Sequence, residues 1–193
     1  KRIRIIHDFP NASDCFPGVE IKGGVCYFLW DRDNRGLCAV NTHENGNIIS
    51  TMNRKLLEDG NDVFIRYNSA ISIFKKVASK NEPSFMEMVS VRRPYGLSST
   101  FNNYSKGNAG GIKIYGNKSY GYLDKNFIVP QNVESVDKYK VFISFGYGAG
   151  EGFPHQILNK PFIGEMRSCC TETYLQIGKF DKITTAENVI SYI

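Results

Sequence analysis

Acidic residues are missing altogether between Glu87 and Asp124, while Arg92, Arg93, Lys106, Lys113 and Lys118 lie inside that window. Outside it, basic and acidic residues balance at 19 each, so the net charge of +5 is the charge of this one stretch. No apolar run approaches the ~18 residues of a membrane-crossing helix and no signal-peptide core is present, so a soluble protein with no membrane partner is expected. Cysteine is sparse and odd in number: Cys15, Cys26, Cys38, Cys169 and Cys170 have no regular spacing. That argues against a secreted disulfide framework and for reduced thiols in a cytoplasm. His7, His43 and His155 are far apart and none has a Cys or His at ligand spacing, so they read as loop histidines and no metal site is expected. No Gly-x-Ser-x-Gly elbow is present, so that route to a serine nucleophile is closed.

What is present is enough for a packed core. The chain has 193 residues, 41% hydrophobic and 22% charged, which suits one domain and rules out wholesale disorder. It opens on an alternating run, Lys1-Arg2-Ile3-Arg4-Ile5-Ile6, and closes inside an apolar helical pattern, Ala186 to Ile193. Both ends read as cuts through a longer protein. With 18 Gly and 7 Pro, the elements are short and sheet-rich. Gly24 to Asp31 (GVCYFLWD) is almost continuously apolar and reads as a central buried strand, with Cys26 inside it. Leu37 to Thr42 and Ile48 to Met52 follow turn signals and complete an antiparallel meander. Asn68 caps a helix to about Lys80, with Ala70, Ile71, Phe74, Val77 and Ala78 on one face, and Ser84 to Ser90 forms a short second helix. Ile112 to Tyr115 and Tyr120 to Leu123 flank a hairpin turn. Strands at Lys140 to Phe145 and Thr173 to Ile177 and a closing helix from Thr184 or Thr185 complete the chain. The expected fold is α+β: a single domain with a mostly antiparallel, twisted sheet and a few flanking helices. Gly23 and Gly24 are expected to admit a close backbone approach or a bulge where the apolar strand begins.

Three chemical readings compete. The acid-free window also carries Tyr95, Phe101, Tyr104, Tyr115, Tyr120 and Tyr122, and basic residues among aromatics suit a phosphate backbone with bases beside it; the same pattern also fits a solvated sheet face. Val141 to Gly152 ends in alternating glycines after a strand, as in nucleotide loops. Yet Pro154 and Pro161 follow and no helix opens, so a loop without a cofactor is the better reading. Asp14, Glu20 and Lys22 have the ingredients of a metal-dependent nuclease, two carboxylates for Mg²⁺ and a lysine beside the attacking water. Their spacing is short and contains Pro17-Gly18, and a charged surface strand explains them as well. A further class, with no chemistry of its own, is a module that only assembles proteins.

Phe16 to Asp31 (FPGVEIKGGVCYFLWD) resembles a segment after the catalytic domain in N6-adenine DNA methylases of restriction–modification systems. Arg92-Arg93-Pro94-Tyr95-Gly96-Leu97, Gly148 to Pro154, Cys170 to Tyr174 and Ala186 to Ile193 are similar to later segments of that family, in the same order. The resemblance spans about residues 7 to 193. It implies a C-terminal DNA target-recognition domain, similar to the TaqI-like specificity domain, over residues 1–193. The methyltransferase domain would lie upstream and hold S-adenosylmethionine; no Pro-Pro occurs here, so the family's Asn/Asp-Pro-Pro-Tyr motif is not in this chain. No catalytic, cofactor-binding or metal-binding residue is therefore assigned. The implied partners are double-stranded DNA and the protein's own methyltransferase domain, in a prokaryotic cytoplasm, in a protein that methylates DNA; the family includes both methylases and restriction enzymes. Within the implied module, Arg92 and Arg93 suit guanine edges and Tyr95 a stacking or groove contact. Lys106, Lys113 and Lys118 suit phosphates, with Lys160 and Arg167 as further contacts.

Overall fold

A computed structural model describes residues 2–19, 21–107, 110–117, 119–146 and 158–193. The fold is α+β and mostly sheet. Where the length suggests one domain, the described residues gather into two compact units, one within residues 1–82 and one over 83–146 and 158–193.

The first unit holds β1 (Ile3–Phe9), β2 (Val25–Trp30), β3 (Cys38–Glu44), β4 (Asn47–Arg54) and helix α1 (Ala70–Ala78). The three later strands do not form a meander. The sheet order is β2-β1-β3-β4, with β1 antiparallel to β2 and parallel to β3. The chain returns from β2 to β1 first, through the Asp31 N–H bond to the Arg2 carbonyl at 2.8 Å, and β3 is then laid on the far side of β1. β2 is thus an edge strand, not a buried central one. Tyr27, Phe28, Leu29 and Trp30 remain 51–56% exposed and Cys26 is exposed too.

Ile6, Cys38 and Val40 form this unit's core, with Leu56 and Phe64 against them. Beneath them lies a polar network. Arg54 is buried, its Nε donating to Asn68 Oδ1 at 2.9 Å, and Asn68 Nδ2 donates to the Val40 carbonyl and to Ser50 Oγ. Asn68 therefore does not cap α1. Ser69 stands at the cap without a side-chain bond, and only Ile71 of the helix is buried, Val77 being 65% exposed. His7 and His43 are not loop residues. They stand on neighbouring strands with Nδ1 and Nε2 2.8 Å apart.

Gly24 bears out half of the glycine expectation. It has φ +72°, and a Cβ there would lie 2.4 Å from the Phe9 carbonyl oxygen, inside any tolerable contact. Gly23 faces open space.

The second unit has two three-stranded sheets. One is ordered β10-β7-β8, from β7 (Tyr139–Ser144), β8 (Phe162–Gly164) and β10 (Tyr174–Phe180). The other is ordered β6-β5-β9, from β5 (Lys113–Tyr115), β6 (Tyr120–Tyr122) and β9 (Ser168–Cys170). The hairpin read from the sequence is present, Tyr115 pairing with Tyr120. Helix α3 (Ile183–Tyr192) buries Ala186 against Val141, Ile143 and Ile177. A second cluster unites Tyr95, Leu97, Ile114, Leu123, Val129, Val136 and Phe142 with Cys169 and Cys170, which pack as small apolar residues. Inside this unit Lys140 is wholly buried, its Nζ donating to the carbonyls of Ser135, Val136 and Ser168 at 2.8–2.9 Å. Two of those carbonyls belong to the short helix α2 (Val133–Val136). No helix among the described residues is long and apolar enough to cross a membrane.

Candidate nucleic-acid interface

The basic window is not free of acid in space. Two glutamates from late in the chain fold back onto it, and no spacing argument along the window could have placed them there.

The first is Glu172, which follows β9 and is held by its own N–H bond to the Leu97 carbonyl. Its Oε2 lies 2.7 Å from Arg93 Nε and 3.2 Å from Arg92 Nε, and its Oε1 accepts the Ser99 N–H at 3.0 Å. The hydrogen bond from Arg93, then the Ser99 N–H, then the charge of Arg92 hold its carboxyl at about 2. At any ordinary pH it is a fixed anion. The two arginine side chains stay 59% and 54% exposed, and the Arg92 guanidinium lies 5.1 Å over the Phe145 ring. A carboxylate gripping two Nε atoms orients two guanidiniums without covering them. The backbone reinforces this: Arg93 sits at φ +62°, a left-handed conformation unfavourable for a side-chain-bearing residue. The turn is closed by the Gly96 N–H bond to the Arg93 carbonyl.

The second is Glu165. Lys113 Nζ is 3.0 Å from its Oε1, and the Tyr115 hydroxyl donates to Oε2 at 2.6 Å. Lys113 Nζ also lies 5.0 Å from the Tyr115 ring and 5.1 Å from that of Tyr120. Burial works against the ammonium, but hydrogen bonds to Tyr115 and Glu165 outweigh it and raise Lys113. Burial first, then the bond to Glu165, pushes the Tyr115 hydroxyl up to about 12. The Lys113 N–H bonds the Arg167 carbonyl at 2.9 Å, so these two residues meet where β5 pairs with β9. Arg167 Nη2 donates to the Gly110 carbonyl at 2.7 Å.

The remaining expected residues divide. Lys106 and Lys160 are exposed, with no ion-pair partner among the described residues. Lys118 lies outside the described residues. Tyr95 is placed otherwise than expected: it is fully buried, accepts a bond from Ser135 Oγ at 3.1 Å and meets Phe142 edge-on. Its ring is part of the core and has no face to offer a base. Lys125, outside the acid-free window, is also exposed.

Of the nuclease triplet, Asp14 is committed to turn structure, accepting the Asn45 N–H at 2.7 Å and the Asn11 side-chain amide at 3.2 Å. Lys22 is exposed and Glu20 lies outside the described residues. No group of three or more metal-ligating side chains occurs among the described residues. The glycine loop falls outside them from Tyr147 onward.

Against known proteins, the chain is 48% identical over 42 residues to an uncharacterized adenine-specific methylase of Mycoplasma pneumoniae. The matched stretch is 22% of this chain and 10% of that relative. The similarity supports a methyltransferase relationship. No protein-family model matches the chain, and no solved structure matches it.

Proposed function

We propose that the chain is part of an adenine-N6 DNA methylase of a restriction–modification system, and that its second unit reads duplex DNA. The similarity to an adenine-specific methylase supports the first half. The observation that carries the second is the exposed arginine pair oriented on Glu172. Fixed guanidiniums are suited to guanine O6 and N7, and the fixing carboxylate reduces the side-chain ordering that binding would otherwise demand. Lys106 and Lys160, with Lys113 and Arg167 where β5 meets β9, would contact phosphates and set register. The resemblance to TaqI-like specificity domains supports the same division of labour. A separate methyltransferase portion would hold S-adenosylmethionine, extract the adenine and methylate it, in a prokaryotic cytoplasm; none of the residues described is assigned to the methyl donor.

Titration of duplex DNA at several salt concentrations tests this. Binding should be no tighter than the ~10⁻⁴–10⁻⁶ M of non-specific contact and should fall steeply with salt. Lys106→Ala and Lys160→Ala should each lower the salt slope by about one unit on every sequence. Arg93→Gly, which relieves the positive φ while removing the side chain, should instead reduce discrimination between guanine-rich and guanine-free duplexes by about tenfold. Affinity unchanged on removal of all these side chains would rule out this surface as the DNA face.

A further inference from the structure

We propose that β2 is an interior strand of a larger α/β sheet, and that its bare edge and faces are the seam onto which the methylase catalytic domain adds a strand and covering helices. This rests on the methylase reading above.

The observation is a mismatch between composition and position. All six residues of β2, Val25-Cys26-Tyr27-Phe28-Leu29-Trp30, are apolar, at even and odd positions alike. Alternation is what a strand shows when one face meets water; an uninterrupted apolar run belongs to a strand covered on both faces, as in sheets flanked by helices. Yet β2 ends its sheet, and Tyr27 and Leu29 on one face and Phe28 and Trp30 on the other are each 51–56% exposed. Exposed edges are ordinarily guarded by charge, proline or a bulge; none of the six residues is charged or proline, and the one register shift in the pairing falls on the β1 side, between Ile3 and Ile5. The four large side chains alone leave roughly 400 Å² of apolar surface in water, divided between the two faces. That is about half of what one partner contributes to a standard interface, before the strand's own hydrogen bonds are counted.

The chemistry of the occupant follows from two half-covered faces: on one, Tyr27 stacks on the His7 ring at 4.7 Å and still stays 53% exposed beside Leu29, and on the other Phe28 and Trp30 are 53% and 56% exposed. A second copy pairing edge to edge would satisfy the backbone of β2 but add no layer above or below it. An α/β sheet supplies both, a neighbouring strand and helices on each side. The parallel pairing of β1 with β3 already has the character of such a sheet. The polypeptide to complete it is available in a methylase of the matched kind, nine-tenths of whose length lies outside the matched stretch.

Cys26 is a built-in reporter, because it is an exposed free thiol on β2 while Cys38, Cys169 and Cys170 are buried and Cys15, half-buried, lies outside β2. Its rate of maleimide labelling, read by peptide mass, is to be compared in the 193-residue chain and in the complete methylase polypeptide. Labelling should be fast in the chain alone at every protein concentration and at least tenfold slower in the complete polypeptide. Phe28→Lys and Trp30→Lys should leave the chain's own melting temperature nearly unchanged but restore labelling, and reduce adenine methylation, in the complete polypeptide. Equal labelling in both forms, with methylation active, would overturn the seam and leave the methylase reading standing. Protection that appears in the chain alone as concentration rises, with a doubled mass in sedimentation, would assign the edge to a second copy instead. A complete polypeptide that never methylates adenine would defeat the methylase reading itself.

Discussion

β2 and β7 are both six-residue strands rich in aromatic and branched residues, VCYFLW and YKVFIS. The one with no charge is bare, and the one carrying a lysine is enclosed. β7 lies between β10 and β8, with Lys140, Val141, Phe142 and Ile143 all buried. β2 ends its sheet, and four of its large side chains are half exposed. Hydrophobicity decides that a strand will seek cover; its place in the sheet decides whether this chain provides it. Lys140 is tolerated inside because three backbone carbonyls saturate its three donors. Within the first unit β2 is paired on one edge, by β1, and Tyr27 stacks on His7; its other edge has no partner strand there.

The sharpest way to break the contrast is at the entry to β2. Gly24→Val would force a branched side chain onto φ +72° and into the Phe9 carbonyl. The expected loss is about 4 kcal/mol, from left-handed strain and overpacking together. Gly23→Val, in open space, should cost less than about 1 kcal/mol. Urea denaturation of the two variants separates them; similar losses would mean that the close approach at Gly24 does not hold the strand.

A smaller effect is expected at the enclosed strand. Lys140→Met keeps the volume but leaves three carbonyls without a donor, at a cost of about 2–3 kcal/mol near pH 7. The pH dependence gives this variant a signature. Burial lowers Lys140 to about 8, so between about pH 8 and the ordinary lysine range the unfolded chain holds a proton that the folded chain has released. Wild-type stability should therefore rise with pH through that window. Lys140→Met should lack the rise. A rise of equal size in both proteins would place its origin elsewhere.

Much of the strand order along the chain was legible, because alternation and turn residues are local signals. The β5–β6 hairpin, β7, β10 and α3 fall where Gly116-Asn117, the apolar runs and the closing helical period put them. Pairing was not legible in the first unit, since nothing in residues 25–30 reveals that β1 intervenes before β3. The site was half legible for the same reason. Arg92 and Arg93 stand out as neighbouring charges in an acid-free stretch, but Glu172 lies about eighty residues away and reaches them only through the pairing of β5 with β9 and its own bond to Leu97. Tyr95 misled because a tyrosine beside two arginines looks like a stacking platform. Its hydroxyl instead finds Ser135, the partner a buried tyrosine needs.

Backbone hydrogen exchange, resolved strand by strand, tests the contrast between β2 and β7 most directly. In the 193-residue chain the amides of residues 25–30 should exchange at least a hundredfold faster than those of residues 140–143. In the complete methylase polypeptide they should slow by a similar factor while those of β7 stay unchanged. Residues 25–30 as slow as β7 in the chain alone, or no slower in the complete polypeptide, would contradict the account.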